Sequence, residues 1–139
     1  MSSKYLVTFK TIFKMINYWL KCWQNFANFD GRARRSEYWY FVLMNMIVQY
    51  GGGFVIGIVS PSAGAMFTAI YALAALIPSI AVIVRRMHDT NNSGWYCLIP
   101  LYNLILACTE GTNGSNRYGN DPKSSGGDKS LMNPEILDA

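Results

Sequence analysis

The order of apolar and polar positions divides the chain into segments of different character. Over residues 4–28, Phe9, Ile12, Phe13, Ile16, Trp19, Leu20, Trp23 and Phe26 recur at spacings of three and four, while Lys10, Lys14, Asn17, Lys21, Asn25 and Asn28 fall on the other side. This period predicts an amphipathic helix. A lysine face against an aromatic and aliphatic face suits the plane of a bilayer interface, so residues 1–29 are read as an N-terminal amphipathic interfacial helix. A helix packed on protein is the alternative. Asp30 and Gly31 end the pattern. From residue 39 to residue 84 there is then no Asp, Glu, Lys or Arg, a run too long for one core element of a soluble domain.

Ser60-Pro61-Ser62-Ala63-Gly64 has the composition of a turn and splits that run into spans at 39–59 and 65–84. Each is about 20 residues, hence about 30 Å as a helix, enough to cross a hydrocarbon core. Together they predict a two-span helical hairpin. Gly51, Gly52 and Gly53 are a weak point in the first span, and the Gly53 to Gly57 spacing admits close approach of another helix. Pro78 predicts a kink in the second, tolerable where a neighbour satisfies the freed carbonyl. A third apolar stretch, 95–109, contains Pro100 and would be about 22 Å long as a helix, short of the usual span. A crossing through thinned bilayer and a re-entrant path both fit it. Residues 30–109 are thus the expected membrane domain and 110–123 a polar turn segment, in which Asn116, Tyr118, Gly119, Asp121 and Pro122 form a turn docked on the spans. Residues 124–139, opening with Ser124-Ser125-Gly126-Gly127, read as a disordered tail. The fold class is all-α: a small polytopic membrane protein with an interfacial helix, a hairpin and a short third hydrophobic segment.

Composition sharpens this picture. Hydrophobic residues make up 51% of the 139 and charged residues 14%, where soluble domains average about 25% charged, and the length fits one compact unit. The net charge of +4 is unevenly spread. Lys4, Lys10, Lys14, Lys21, Arg32, Arg34 and Arg35 precede the first span, Arg85 and Arg86 follow the second, and residues 60–64 carry no charge. By the positive-inside rule the N-terminus and the 85–94 turn face the cytoplasm and residues 60–64 face outward, as expected for a multi-pass protein of a bacterial inner membrane. Lys4, Lys10, Lys14 and Lys21 interrupt any secretory signal. Cys22, Cys97 and Cys108 form no CxxC pair and, being three, argue against a disulfide framework. His88 has no Cys, His or paired carboxylate at ligand spacing, so neither a metal nor a cofactor is expected. The arginine cluster abuts an apolar segment rather than a basic surface, which argues against nucleic acid.

The chemistry-bearing groups gather at the predicted cytoplasmic boundary: Arg32, Arg34, Arg35, Glu37, Arg85, Arg86, His88 and Asp89. One reading has the arginines anchoring helices against phosphates, with Glu37 and Asp89 paired to them. A second makes them a lipid-headgroup pocket, with bidentate guanidinium–phosphate contacts and His88 moving a proton. Trp19, Trp23, Trp39 and Trp95 fall at predicted interfaces and read as anchors.

Three blocks carry a family resemblance: Asn28-Phe29-Asp30-Gly31-Arg32-Ala33-Arg34-Arg35-Ser36-Glu37-Tyr38-Trp39; Arg85-Arg86-Met87-His88-Asp89 with Ser93-Gly94-Trp95; and Gly114-Ser115-Asn116-Arg117-Tyr118-Gly119 with Asp121-Pro122. In order and spacing they resemble the bacterial inner-membrane family called domain of unknown function 805, over roughly residues 18–123. The resemblance implies a small polytopic inner-membrane protein and no particular activity. The third hydrophobic stretch is shorter here than in many members. Three functions of different class stay open. The first is action through lipid or envelope-protein contacts, with a homo-oligomer as one form. The second is an oligomeric transporter or channel, for which Asn45 and Gln49 are the strongly polar span residues. The third is a lipid-modifying enzyme using His88 and Asp89.

Overall fold

A computed structural model describes residues 3–124; the tail expected over 124–139 lies, Ser124 apart, outside the described residues. The chain forms α1 (Ser3–Gln24), then a continuous helix of 25 residues built from α2 (Arg35–Met46), one π-helical turn (Ile47–Gly51) and α3 (Gly52–Val59). After a single extended residue comes α4 (Pro61–Asp89), 29 residues long. A 3-10 turn (Gly94–Leu98) and the short α5 (Pro100–Cys108) follow. No β-strand occurs among the described residues, which hold only an isolated bridge between Asn116 and Gly119.

Ser60 makes the hairpin. Its extended backbone ends α3, its side chain accepts the Ala63 amide at 3.4 Å, and Pro61 starts α4 with φ already set. The antiparallel helices then meet through glycines. A Cβ placed on Gly64 would come within 2.5 Å of the Gly53 carbonyl oxygen and 2.7 Å of Gly57 Cα. The Gly53–Gly57 pair therefore receives the next helix of the same chain, backbone against backbone. The glycine run at 51–53 does not break the helix, which passes it with one wide π turn, and α4 runs unbroken through a buried Pro78.

Both long helices are long and apolar enough to cross a membrane. Phe54, Ile58, Val59 and Leu73 are each more than 70% exposed. Helices of this length inside a soluble domain would be covered; uncovered apolar surface on this scale calls for a lipid solvent. Two polar side chains of the spans, Asn45 and Ser79, find partners within the protein. Asn45 Oδ1 accepts from Trp19 Nε1 at 2.9 Å and from the Tyr71 hydroxyl at 2.7 Å, tying α1, α2 and α4 together. Ser79 Oγ donates to the Ala75 carbonyl of its own helix at 2.6 Å.

The end of α1 packs against α2, burying Tyr18 and Cys22, with the Tyr18 ring stacked on Tyr40 at 5.8 Å. Residues 3–12 are exposed. Trp19 and Trp23 lie half-buried against the core of Cys22, Ala33, Tyr38, Phe41, Val82 and Ala107, whereas Trp39 and Trp95 are exposed. The third apolar stretch is not one helix. Pro100 separates the 3-10 turn from α5, whose nine residues extend about 14 Å. Its path returns to where it began: Asn92 N donates to Met87 O at 3.1 Å on departure, and Thr112 N donates to Asp89 O at 2.8 Å on return.

Candidate functional site

The site is the junction where α4 and α5 end and α2 begins. A helix leaves its last carbonyls without intrahelical donors, and two such ends meet here with the negative ends of their dipoles together. α4 closes with a paired-bond cap: Asn91 takes φ 61°, its amide donates to His88 O at 3.0 Å, and Asn92 N reaches Met87 O. Thr112 N and its hydroxyl serve Asp89 O, and Asn116 Nδ2 donates to His88 O at 2.9 Å. The last carbonyls of α5 are served by guanidinium groups instead. Arg86 donates to Leu106 O at 3.4 Å and to Thr109 O, and Arg35 donates to Cys108 O at 3.2 Å.

Around these carbonyls lies a buried ionic network. Arg32, Glu37, Arg85, Arg86 and Asp89 are all 9% exposed or less. Asp89 accepts from Arg32 Nε at 3.0 Å through Oδ1 and from Arg86 through Oδ2. Glu37 accepts from Arg85 at 2.8 Å through Oε1 and from Lys21 at 3.3 Å through Oε2. Arg32 also donates to the carbonyls of Thr112 at 2.5 Å and Gly114 at 2.6 Å, clamping the 112–121 segment onto the helix ends. Three buried guanidinium groups thus face two carboxylates. Backbone carbonyls supply further acceptors to Arg32 and Arg86, which offsets part of the cost of taking these cations out of water. Arg85 Nε and Nη2 and Arg86 Nε stay unpartnered.

Of the eight residues singled out from sequence, five therefore enter the network. Arg34 is half-buried at its edge and Arg35 is exposed. His88 turns away from the network: its Nδ1 lies 3.1 Å from the Gly31 carbonyl, which holds the hydrogen on that nitrogen, and its ring stacks on Tyr118 at 3.9 Å and 3°. Gly31 sits at φ 87°, the left-handed region that favours glycine. The side chains of His88 and Asp89 share no hydrogen bond, His88 bonding to Gly31 and Asp89 to Arg32 and Arg86, so the pair is not arranged as an acid–base dyad.

Two recesses flank the network. One of about 190 Å³ is lined by Lys21, Arg32, Arg34 and Glu37 with Tyr18. The other, about 260 Å³, is lined by Arg34, Arg35, Ser36, Asp89 and Lys123. Glu110 is exposed and pairs with Lys123 at 2.7 Å and Arg35 at 3.5 Å, and Lys123 holds its carboxyl below the usual range. Asp121 accepts the amides of Lys123 at 2.9 Å and Gly114 at 3.1 Å, which lower its pKa and lock the return segment. Burial, with Glu37 beside it, pushes the Cys22 thiol up to about 12. No group of three or more His, Cys, Asp or Glu residues that could hold a metal occurs among the described residues.

Lys21, Cys22, Thr112 and Lys123 were not among the eight boundary residues singled out from sequence, and Tyr118 was expected only in a docked turn, not stacked on His88. The signal was partly available: Arg86 and Asp89 stand three apart on one helix, so their pairing is readable, whereas Arg32 meets Asp89 across 57 residues.

Two apolar helices uncovered to lipid, joined by a tight turn and closed at one end by a buried ionic knot, define a small helical integral membrane protein. Residues 26–120 match the model of a family described as protein of unknown function (DUF805). The chain belongs to this family. It is 42% identical over 118 residues to the inner membrane protein YhaI of Escherichia coli strain K12, covering 78% of this chain and 97% of that protein. It is 38% identical over 122 residues to the inner membrane protein YhaH of the same strain, covering 78% and 98%. These relatives support an inner-membrane location. No solved structure matches.

Proposed function

We propose that the protein works at the cytoplasmic face of the inner membrane by holding anionic lipid headgroups in the basic recesses beside its ionic knot. The observation that carries this is the composition of the second recess, where Arg34, Arg35 and Lys123 line one cavity beside Asp89. Asp89 is already engaged by Arg32 and Arg86, so its charge does not neutralise the rim. The exposed pairs of Glu110 with Arg35 and Lys123 cost little to exchange for a phosphate, since water screens exposed ion pairs. Both arginines have the planar fork that matches phosphate oxygens.

The same reading orients the chain with both basic clusters inside. It also gives α1 a place in the interface plane. Asn45, which Trp19 contacts, stands six residues beyond Trp39, about 9 Å along the helix. An in-plane amphipathic helix lies about 5–10 Å deep. Residues 3–12, with Phe9 and Ile12 exposed beside Lys4 and Lys10, are then the arm that meets lipid. The stretch 95–109 is re-entrant, dipping in and returning to the knot.

The test is headgroup preference. The full chain in nanodiscs of phosphatidylcholine, doped with spin-labelled phosphatidylglycerol or phosphatidylcholine, should retain the anionic probe selectively. Arg35→Ala should reduce that selectivity about fivefold, the equivalent of about 1 kcal/mol for one basic residue at an anionic surface. Equal retention of the two probes by the unsubstituted protein would overturn the reading.

A further inference from the structure

Ile80, Val84 and His88 recur every fourth residue along one face of α4, about 100° around the helix from Arg85 and Asp89. Against this face stands the 3-10 turn. Between them lies a recess of about 410 Å³, its walls Ile80, Val84, Trp95, Cys97 and Leu98 and its polar end His88 with Tyr118. From Ile80 to His88 it follows α4 for about 12 Å. Trp95 and Leu98 are 79% and 71% exposed, so the recess opens sideways, toward lipid, along its length.

The polar end offers one specific group. His88 Nδ1 donates to the Gly31 carbonyl, which in the neutral ring makes Nε2 the acceptor. Nε2 lies beside Gly94, another lining residue of the slot, where a Cβ would stand 3.5 Å from it, and it makes no hydrogen bond to the described residues. Tyr118 covers one face of the imidazole and Arg117 lies over the Tyr118 ring at 5.6 Å. An occupant must therefore present a long apolar body and, at one end, a hydrogen-bond donor in the plane of the ring. An alkyl chain with a hydroxyl near its head has both.

We propose that this slot holds the chain of a monoacyl glycerolipid whose free glycerol hydroxyl donates to His88 Nε2. The proposal rests on the membrane placement argued above and not on the basic recesses, because Arg34, Arg35 and Lys123 do not line the slot.

Cys97 is the built-in reporter. It lines the slot and is half-buried, whereas Cys22 is fully buried. In a full-chain Cys108→Ser variant in phosphatidylcholine nanodiscs, N-ethylmaleimide alkylation of Cys97 is followed by mass spectrometry. Two additives are compared: lysophosphatidylcholine and its 2-O-methyl ether, which has the same chain and no hydroxyl. The hydroxyl lipid should slow alkylation about tenfold more than the ether, the order expected for one hydrogen bond in a sheltered site. His88→Phe, which keeps a ring to stack on Tyr118 and removes the acceptor, should erase the difference. Equal protection by the two lipids, or an undiminished difference in His88→Phe, would overturn the proposal. The comparison of lipids on unsubstituted His88 decides the matter without the variant. The slot shares no lining residue with the basic recesses, so failure of the headgroup reading, read with the spin-labelled lipids, and failure of this one, read on Cys97, are separable.

Discussion

Asp89 uses each carboxylate oxygen on a different guanidinium, Arg32 from the segment before α2 and Arg86 from its own helix. Removing it leaves two buried cations facing carbonyls alone. Breaking a buried pair from one side costs about 3–5 kcal/mol, so Asp89→Ala should lower the thermal midpoint of the detergent-solubilised protein far more than Glu110→Ala, whose ion pairs are exposed. A circular-dichroism melt checks this; equal midpoints would mean the network is not holding the helix ends. The group of eight was legible in the sequence because basic and acidic residues bordering a long apolar run are conspicuous. Which of them pair was not. A helix face sets whether Arg85 or His88 turns inward, and contacts such as that of Arg32 with Gly114 join positions 82 residues apart. Thr112 carries no charge and leaves no comparable mark.

Along each element, the two long helices could be read directly, since nothing but a bilayer explains so extended an uncharged run. The Gly53–Gly57 spacing was legible as a contact, yet its partner was not, because the signal is generic and Gly64 belongs to a turn-like sequence. Gly64→Leu should force the hairpin apart, since even a Cβ would overlap the Gly53 carbonyl. The expected outcome is a loss of helix–helix proximity between α3 and α4, read as falling spin–spin coupling between labels on Phe54 and Phe67. Gly57→Ala is the milder companion, because a Cβ there meets nothing within 4 Å. The path of 95–109 was not settled by its hydrophobicity. The re-entrant path proposed above draws its support from hydrogen bonding at the two ends of the stretch, where Met87 and Asp89 carbonyls anchor departure and return.

For the molecule as a whole, that return places residue 112 beside residue 89, so the exposed Cys108 and the basic segment before α2 share one side. An impermeant maleimide should label Cys108 in inverted inner-membrane vesicles and spare it in right-side-out spheroplasts. Cys22 should remain unlabelled in both near neutral pH, since its thiol is enclosed and keeps its proton up to about pH 12. Cys108 labelling confined to spheroplasts would reverse the orientation. The connection between α3 and α4 is the single residue Ser60, so among the described residues the far end of the molecule carries almost no chain outside the bilayer. Such a protein offers antibodies, proteases and soluble ligands little to grasp from that side.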